Sequence, residues 1–343
     1  MGVMTMFKLA RYASASILLL SLGSVAQALT IQVNCDLKEG PTSFKEGFTS
    51  ISAALKVIQG TLAAVPNTID VSGACHENIL IENIDRLTLN AVNGASITDT
   101  SNGTREVIDV EHSAGFTLIG FTVNATCPST CMNGPGADAI SCYIGADCLL
   151  IDDTIAGAGN GAGIGVYPLS KAIVQGGTLQ YNYFGLFTND SGQAFLMGVT
   201  VQNNLYGVFL NHGGSVSIHV GTDNVTPSVI TNNSQQGIFT NMGGSVSVHA
   251  PATVTNNGAD GIYLALGSKL FVGGGDSGEI SITGNAGSGV NLNDISIAQF
   301  GGNAHVTSNA APNIACNAAT VVTAGAVAAA GGIAGLPYTT CAH

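Results

Sequence analysis

Gly207-Val208-Phe209-Leu210 is followed by Asn211-His212-Gly213 and then by Gly214-Ser215-Val216-Ser217-Ile218. The first phrase sets a branched aliphatic residue after a glycine, then an outward residue and a second inward one. The last alternates Val216 and Ile218 with serine, at the two-residue period of a half-buried strand. The glycine phrase occurs upstream as Gly163-Ile164-Gly165-Val166 and Gly185-Leu186-Phe187-Thr188. It occurs downstream as Gly237-Ile238-Phe239-Thr240, Gly261-Ile262-Tyr263-Leu264 and Gly289-Val290-Asn291-Leu292, with spacings of 22, 22, 30, 24 and 28. Asparagines stand three or four residues ahead of the copies, at Asn160, Asn182, Asn204, Asn233, Asn257 and Asn285. Gly244-Ser245-Val246-Ser247-Val248 repeats the serine-alternating strand.

A period in the low twenties with short strands, Gly, Asn and Ser turns and no helical stretch describes one coil of a solenoid. Each coil then buries its inward side chains on those of its neighbours. A leucine-rich repeat of similar period would need a Leu-x-x-Leu-x-Leu frame, which is missing. The pattern resembles the right-handed parallel β-helix of the pectin-lyase-like superfamily. That resemblance implies an all-β, single-stranded solenoid in which Asn stacks on Asn at a turn and Ile or Val stack in the core. It covers about residues 71–315, roughly ten coils at this period. Open solenoid ends need covering. At the front, Thr30-Ile31-Gln32-Val33 reads as a strand and residues 51–59 as a short amphipathic capping helix with Ile51, Leu55 and Ile58 on one face. The expected organisation is therefore a signal peptide at 1–28, an N-terminal cap at 29–70, the β-helix at 71–315 and a C-terminal cap or tail at 316–343.

Export is read from the first residues. Lys8 and Arg11 precede an apolar run at 13–22, and Ala26-Gln27-Ala28 supplies a small-x-small cleavage pattern. The run is too short for a membrane anchor. The 343 residues hold 9 Lys+Arg against 21 Asp+Glu, a net charge of −12. So few basic residues leave little to neutralise a phosphate backbone or hold an acidic membrane, so neither nucleic acid nor membrane is an expected partner. The uncharged, Ala- and Gly-rich stretch 318–336 has the length of a bilayer span but little hydrophobic drive, and it reads as a loop tied back by cysteine. All eight cysteines follow the leader, which favours disulfides over zinc. Proximity suggests Cys127 with Cys131, Cys142 with Cys148 and Cys316 with Cys341, leaving Cys35 for Cys75.

Stacking the repeats turns offsets into surface columns. Two residues after each repeat glycine the column reads Gly165, Phe187, Phe209, Phe239, Tyr263, Asn291. With the flanking aliphatics inward, the rings Phe187, Phe209, Phe239 and Tyr263 turn outward as an apolar strip, on which a sugar ring is the natural guest. A self-stacked ladder, or one covered by a long turn, is the alternative. Asp190 and His212 share a register 22 residues apart, so a carboxylate and an imidazole can meet on adjacent coils as an acid/base pair or as a solvated turn pair. His219 and His249 occupy equivalent positions but lack a third metal ligand, and neither a metal nor a cofactor is expected.

Family enzymes set stricter tests. Pectate-lyase-like members pair a Ca²⁺-binding acidic cluster with a basic residue, whereas from Ala172 onward the one basic residue here is Lys269. An anionic polysaccharide would therefore meet repulsion without a clamp. Polygalacturonase-like members carry four motifs in order. Asp152-Asp153 resembles the second alone, and Asn211-His212-Gly213 matches the third poorly. The residues thus favour an exported protein with a glycan-binding or surface role and a neutral carbohydrate polymer as partner. The alternatives are a polysaccharide hydrolase or lyase using Asp190 and His212 or Asp152 and Asp153, and a structural spacer or adhesin with idle sides.

Overall fold

Ile164 pairs in parallel register with Leu186, Leu186 with Val208, and the column continues through Ile238, Ile262 and Val290, every one of them 0% exposed. Upstream the same column holds Ile140, Ile108 and Ile79. In the computed structural model, which describes residues 28–37, 47–61, 65–127, 136–316 and 320–324, all the strand pairings are parallel. The chain is a right-handed parallel β-helix with three strand tracks per coil.

One coil shows the arrangement. Strand Lys171–Gln175 turns at Gly176-Gly177 into Thr178–Gln180, and a second corner leads to Phe184–Thr188. A turn at 189–192 then delivers Gln193–Met197 one coil above the start. The third track forms a ten-stranded sheet from Ile79–Glu82 to Ile314–Cys316, while the first two share a twenty-stranded sheet. Parallel register in that larger sheet starts at Leu29–Asn34 on Asn67–Ser72. The inward aliphatics of all three tracks make one continuous core.

The corner ahead of the third track is held by an asparagine ladder. Asn182, Asn204, Asn233, Asn257 and Asn285 each donate Nδ2 to the Oδ1 of the next rung at 2.9 to 3.2 Å. Each backbone N–H bonds the same oxygen, so both polar ends of a buried amide are satisfied. The ladder runs on to Asn309, which the repeat reading did not include. At its other end the rung is Ala158, whose N–H donates to Asn182 Oδ1, so Asn160 stands two residues off the expected place.

The front is closed by the helix Ile51–Thr61, with Ile51, Leu55 and Ile58 buried against the first coils as its periodicity requires. Ser50 Oγ accepts from Ala53 N, and the Glu77 carboxylate accepts from the N–H groups of Ile51 and Ser52. These bonds satisfy orphan donors and place a negative charge at the positive end of the helix. Disulfides join Cys35 to Cys75 and Cys142 to Cys148. Cys127 and Cys316 are also disulfide-bonded, and their expected partners Cys131 and Cys341 lie outside the described residues, as do residues 1–27 of the signal peptide expected at 1–28 and the stretch 325–343.

Candidate functional site

The outward face of the ten-stranded sheet carries three columns, fixed by register. Beside the inward column runs Leu80, Asp109, Ser141, Gly165, Phe187, Phe209, Phe239, Tyr263, Asn291. One position past the second inward residue the strands begin Glu82, Glu111, Tyr143. On the other side Ala162, Phe184 and Tyr206 lie in register.

Rings from these columns form one half-exposed run. Phe187 and Phe209 stack at 5.5 Å with 11° between planes, and Phe184 stacks on Phe209 at 4.8 Å and 10°. Near-parallel rings this close overlap part of their faces, so these three spend face area on one another. Phe239 tilts against Phe209 at 4.8 Å, and Tyr263 meets Phe239 edge-on at 5.1 Å. On the other flank Tyr167 meets Phe187, and Tyr143 meets Tyr167, both edge to face. Tyr183 and Tyr206 add two hydroxyl-bearing rings beside Phe184.

The run ends in carboxylates. Asp138 is buried, accepts from Ala162 N and from the Tyr167 hydroxyl at 2.7 Å each, and lies over Gly165, where a Cβ would collide with it. Burial pushes its carboxyl up to about 7. Asp109, half-buried, is raised to about 7 by burial and then by the charges of Glu106 and Glu111. Glu111 also hydrogen-bonds it and Ser141 steadies its charged form. The Tyr167 hydroxyl, buried and facing Asp138, Glu106 and Asp109, is pushed far up. One ligand atom each of Glu82, Glu111 and His112 lies within 4.8 Å of the others. At the far flank Tyr263 is raised by burial and by the charges of Asp294 and Asp260.

The sequence-derived candidates fall at different corners. Asp190 and His212 do meet, with His212 Nδ1 3.6 Å from Asp190 Oδ1, and Asn189 Oδ1 lies 3.2 Å from the same nitrogen. Both sit half-exposed in the turn column of left-handed residues, at φ 47° and 43°. Asp152 and Asp153 belong to the corner after the first track. Asp153 is buried and its Oδ1 accepts from Phe121 N at 2.7 Å, a corner-bracing bond, while burial raises the carboxyl to about 7. Asp152 is exposed and lines a groove of about 410 Å³ with Gln175, Met197, Thr200 and the loop bearing Asp223. That loop is held by the Asp223 carboxylate, which accepts from Val225 N, Thr226 N and Thr226 Oγ1. Asp152 and Asp153 therefore part, and neither shares a site with Asp190 and His212. His219 and His249 stack at 4.4 Å with 6° between planes on the first-track face. Their near-parallel rings lie one above the other.

Phe184, Tyr206, Tyr143, Asp109 and Asp138 were not singled out from the sequence. Phe184 and Tyr206 immediately precede repeat glycines, a signal available in the repeat itself. The carboxylates lie in coils whose inward Ile108 and Ile140 follow Val107 and Ala139 in place of glycine, so the repeat gave no alignment there.

No family model and no curated protein matches the sequence. Among solved structures the chain is similar to the A-module of the mannuronan C-5 epimerase AlgE4 of Azotobacter vinelandii, at 12% identity and a TM-score of 0.49 over 85% of this chain and 99% of that one. It is also similar to the Dettilon tailspike protein, at 11% and 0.45 over 83% and 68%, and to an alginate lyase of Paenibacillus sp., at 8% and 0.30 over 87% and 98%. These likenesses concern the path of the chain alone, and the strand register by itself defines the protein as a parallel β-helix.

Proposed function

We propose that the protein holds a carbohydrate chain along the outward face of its ten-stranded sheet. The observation that carries this reading is the uninterrupted run of rings from Tyr143 through Phe187, Phe209 and Phe239 to Tyr263, half-exposed and edged by hydroxyls and carboxylates. A soluble protein has little reason to leave a strip of this kind open. A sugar needs both apolar contact for its C–H faces and hydrogen-bonding partners for its hydroxyls, and the strip offers the two side by side. The partner then lies outside the cytoplasm, where the described disulfides are stable. No described helix is long and apolar enough to cross a membrane.

The test is retention on a panel of immobilised polysaccharides, wild type against Tyr206→Ala and Tyr263→Ala. Loss of retention with an unchanged fold supports the strip. Equal retention by both variants, or none by the wild type, rejects it.

A cleaving activity is the second reading, favoured by Asp109, whose carboxyl beside the strip is raised to about 7, so that a fraction of it keeps a proton at neutral pH that it could donate to a leaving oxygen. Reducing-end release by the wild type and not by Asp109→Asn would establish it.

A further inference from the structure

The outward positions of the ring-bearing sheet hold no lysine or arginine among the described residues, whereas Glu82, Asp109 and Glu111 occupy them at one end, with Glu106 alongside. Arg105, next in sequence to Glu106, and Lys56 line a groove beside the capping helix that also takes in Leu80, the outward residue in register with Asp109. At the other end Asp260 and Asp294 act on the Tyr263 hydroxyl. The charges that act on the ring hydroxyls at the two ends of the strip, Tyr167 and Tyr263, are thus negative on both flanks.

We infer that the ligand of this face is a cationic glycan, an oligomer or polymer of hexosamine with free amino groups, its ammonium groups meeting Glu106, Asp109 and Glu111 and its rings lying along the aromatic run. This rests on the carbohydrate reading above and adds the charge of the sugar. A neutral glycan leaves the mutual repulsion of these carboxylates in place, and an anionic one adds to it. An ammonium group offsets it and meets two kinds of partner at once, since the faces of Tyr143 and Tyr167 also attract cations. Burial raises the Asp109 carboxyl first, and the charges of Glu106 and Glu111 raise it further. The Asp260 oxygens already accept from Ser288 N and Asn291 Nδ2, so it supplies field at the far end. At the near end Asp109 is held by Ser141 and Glu111, which leaves Glu106 and Glu111 as the foremost ammonium partners.

The experiment is calorimetric titration of the full chain with glucosamine and galactosamine oligomers, each as the free amine and as the N-acetylated form of equal length, at low and high salt. The free amines should bind at least about tenfold more tightly, a difference of about 1.4 kcal/mol. That margin should shrink at high salt and in Glu106→Gln and Glu111→Gln, each of which should weaken the free amines more than the acetylated forms. Equal binding of free and acetylated oligomers overturns this inference and leaves the carbohydrate reading standing. Binding that depends on added Ca²⁺ also overturns it, because the carboxylates with His112 then serve a metal ion. No binding of any of these oligomers also overturns this inference, and retention on the polysaccharide panel then decides the carbohydrate reading separately.

Discussion

Asn233 sits against Gly207 at the corner of the coil: a Cβ built on Gly207 would stand 2.8 Å from Asn233 Nδ2, 2.9 Å from Ile230 Cγ2 and 2.3 Å from the carbonyl oxygen of Gly237. The repeat glycine is therefore a consequence of the amide ladder beside it. The same crowding recurs at Gly185 against Asn204 and at Gly261 against Asn285. A buried asparagine column needs the following backbone to pass close by, and only a residue without a side chain lets it.

Removing either member should unsettle the stack. Asn233→Ala leaves the N–H of Asn204 without its acceptor in a buried corner, at about 1 to 3 kcal/mol, and takes one of the two acceptors of Asn204 Nδ2, which keeps the Leu179 carbonyl. Gly207→Ala forces contacts well below van der Waals distance and should cost at least the 1 to 3 kcal/mol typical of overpacking. Urea unfolding followed by circular dichroism measures both. Midpoints equal to wild type for either variant would show that the corner yields more easily than its contacts imply.

The aromatic run should behave as neither core nor free surface. Phe209 touches Phe184, Phe187, Tyr206 and Phe239 while remaining half-exposed. Phe209→Ala forfeits ring pairs worth about 0.5 to 1.5 kcal/mol each but opens no sealed cavity. Pairs that share one ring are not additive, so the loss should fall near 1 to 3 kcal/mol, below the roughly 3 to 5 of a fully buried phenylalanine. A thermal melt unchanged from wild type would mean that the rings act independently. A loss in the core range would mean that the strip is covered.

The inward column was legible because a solenoid asks the same thing of each coil: Val208 must be aliphatic for the same reason as Leu186 below it and Ile238 above. The ladder was legible in the middle and slipped at its ends. In Gly157-Ala158-Gly159-Asn160-Gly161 the glycines let the corner close on Ala158, and no spacing rule separates that from closure on Asn160. The acidic end of the site was not legible, since the first coils keep the inward isoleucines and lose the glycine that marks their phase. Asp190 and His212 share a register and stand close across adjacent coils, half-exposed in a turn, and the register alone left open whether such a pair is an acid/base couple or a solvated turn pair.

The pH dependence of stability should carry two opposed contributions. His219 and His249 are both depressed, by burial and, for His219, then by the neighbouring imidazole. A depressed imidazole binds fewer protons folded than unfolded, so its contribution is present above the unfolded value of about 6.5 and is lost as the pH falls through the folded one. Asp109 and Asp138 act in reverse. Their folded values of about 7 exceed the unfolded value of about 3.9, so the folded carboxyls keep protons that the unfolded chain releases. Their contribution is therefore complete on the acid side and is lost as the pH rises toward 7 and beyond. The wild-type profile is the sum, and variants separate its parts. Relative to wild type, His219→Phe with His249→Phe should gain melting temperature as the pH drops below about 6.5, because the stack no longer takes up protons on unfolding. Asp109→Asn should gain in the other direction, as the pH climbs from about 4 to above 7, because an amide has no proton to lose. Melting curves across that range decide the matter: a variant that tracks the wild type with a constant offset at every pH would show that its group titrates alike in the folded and unfolded chain.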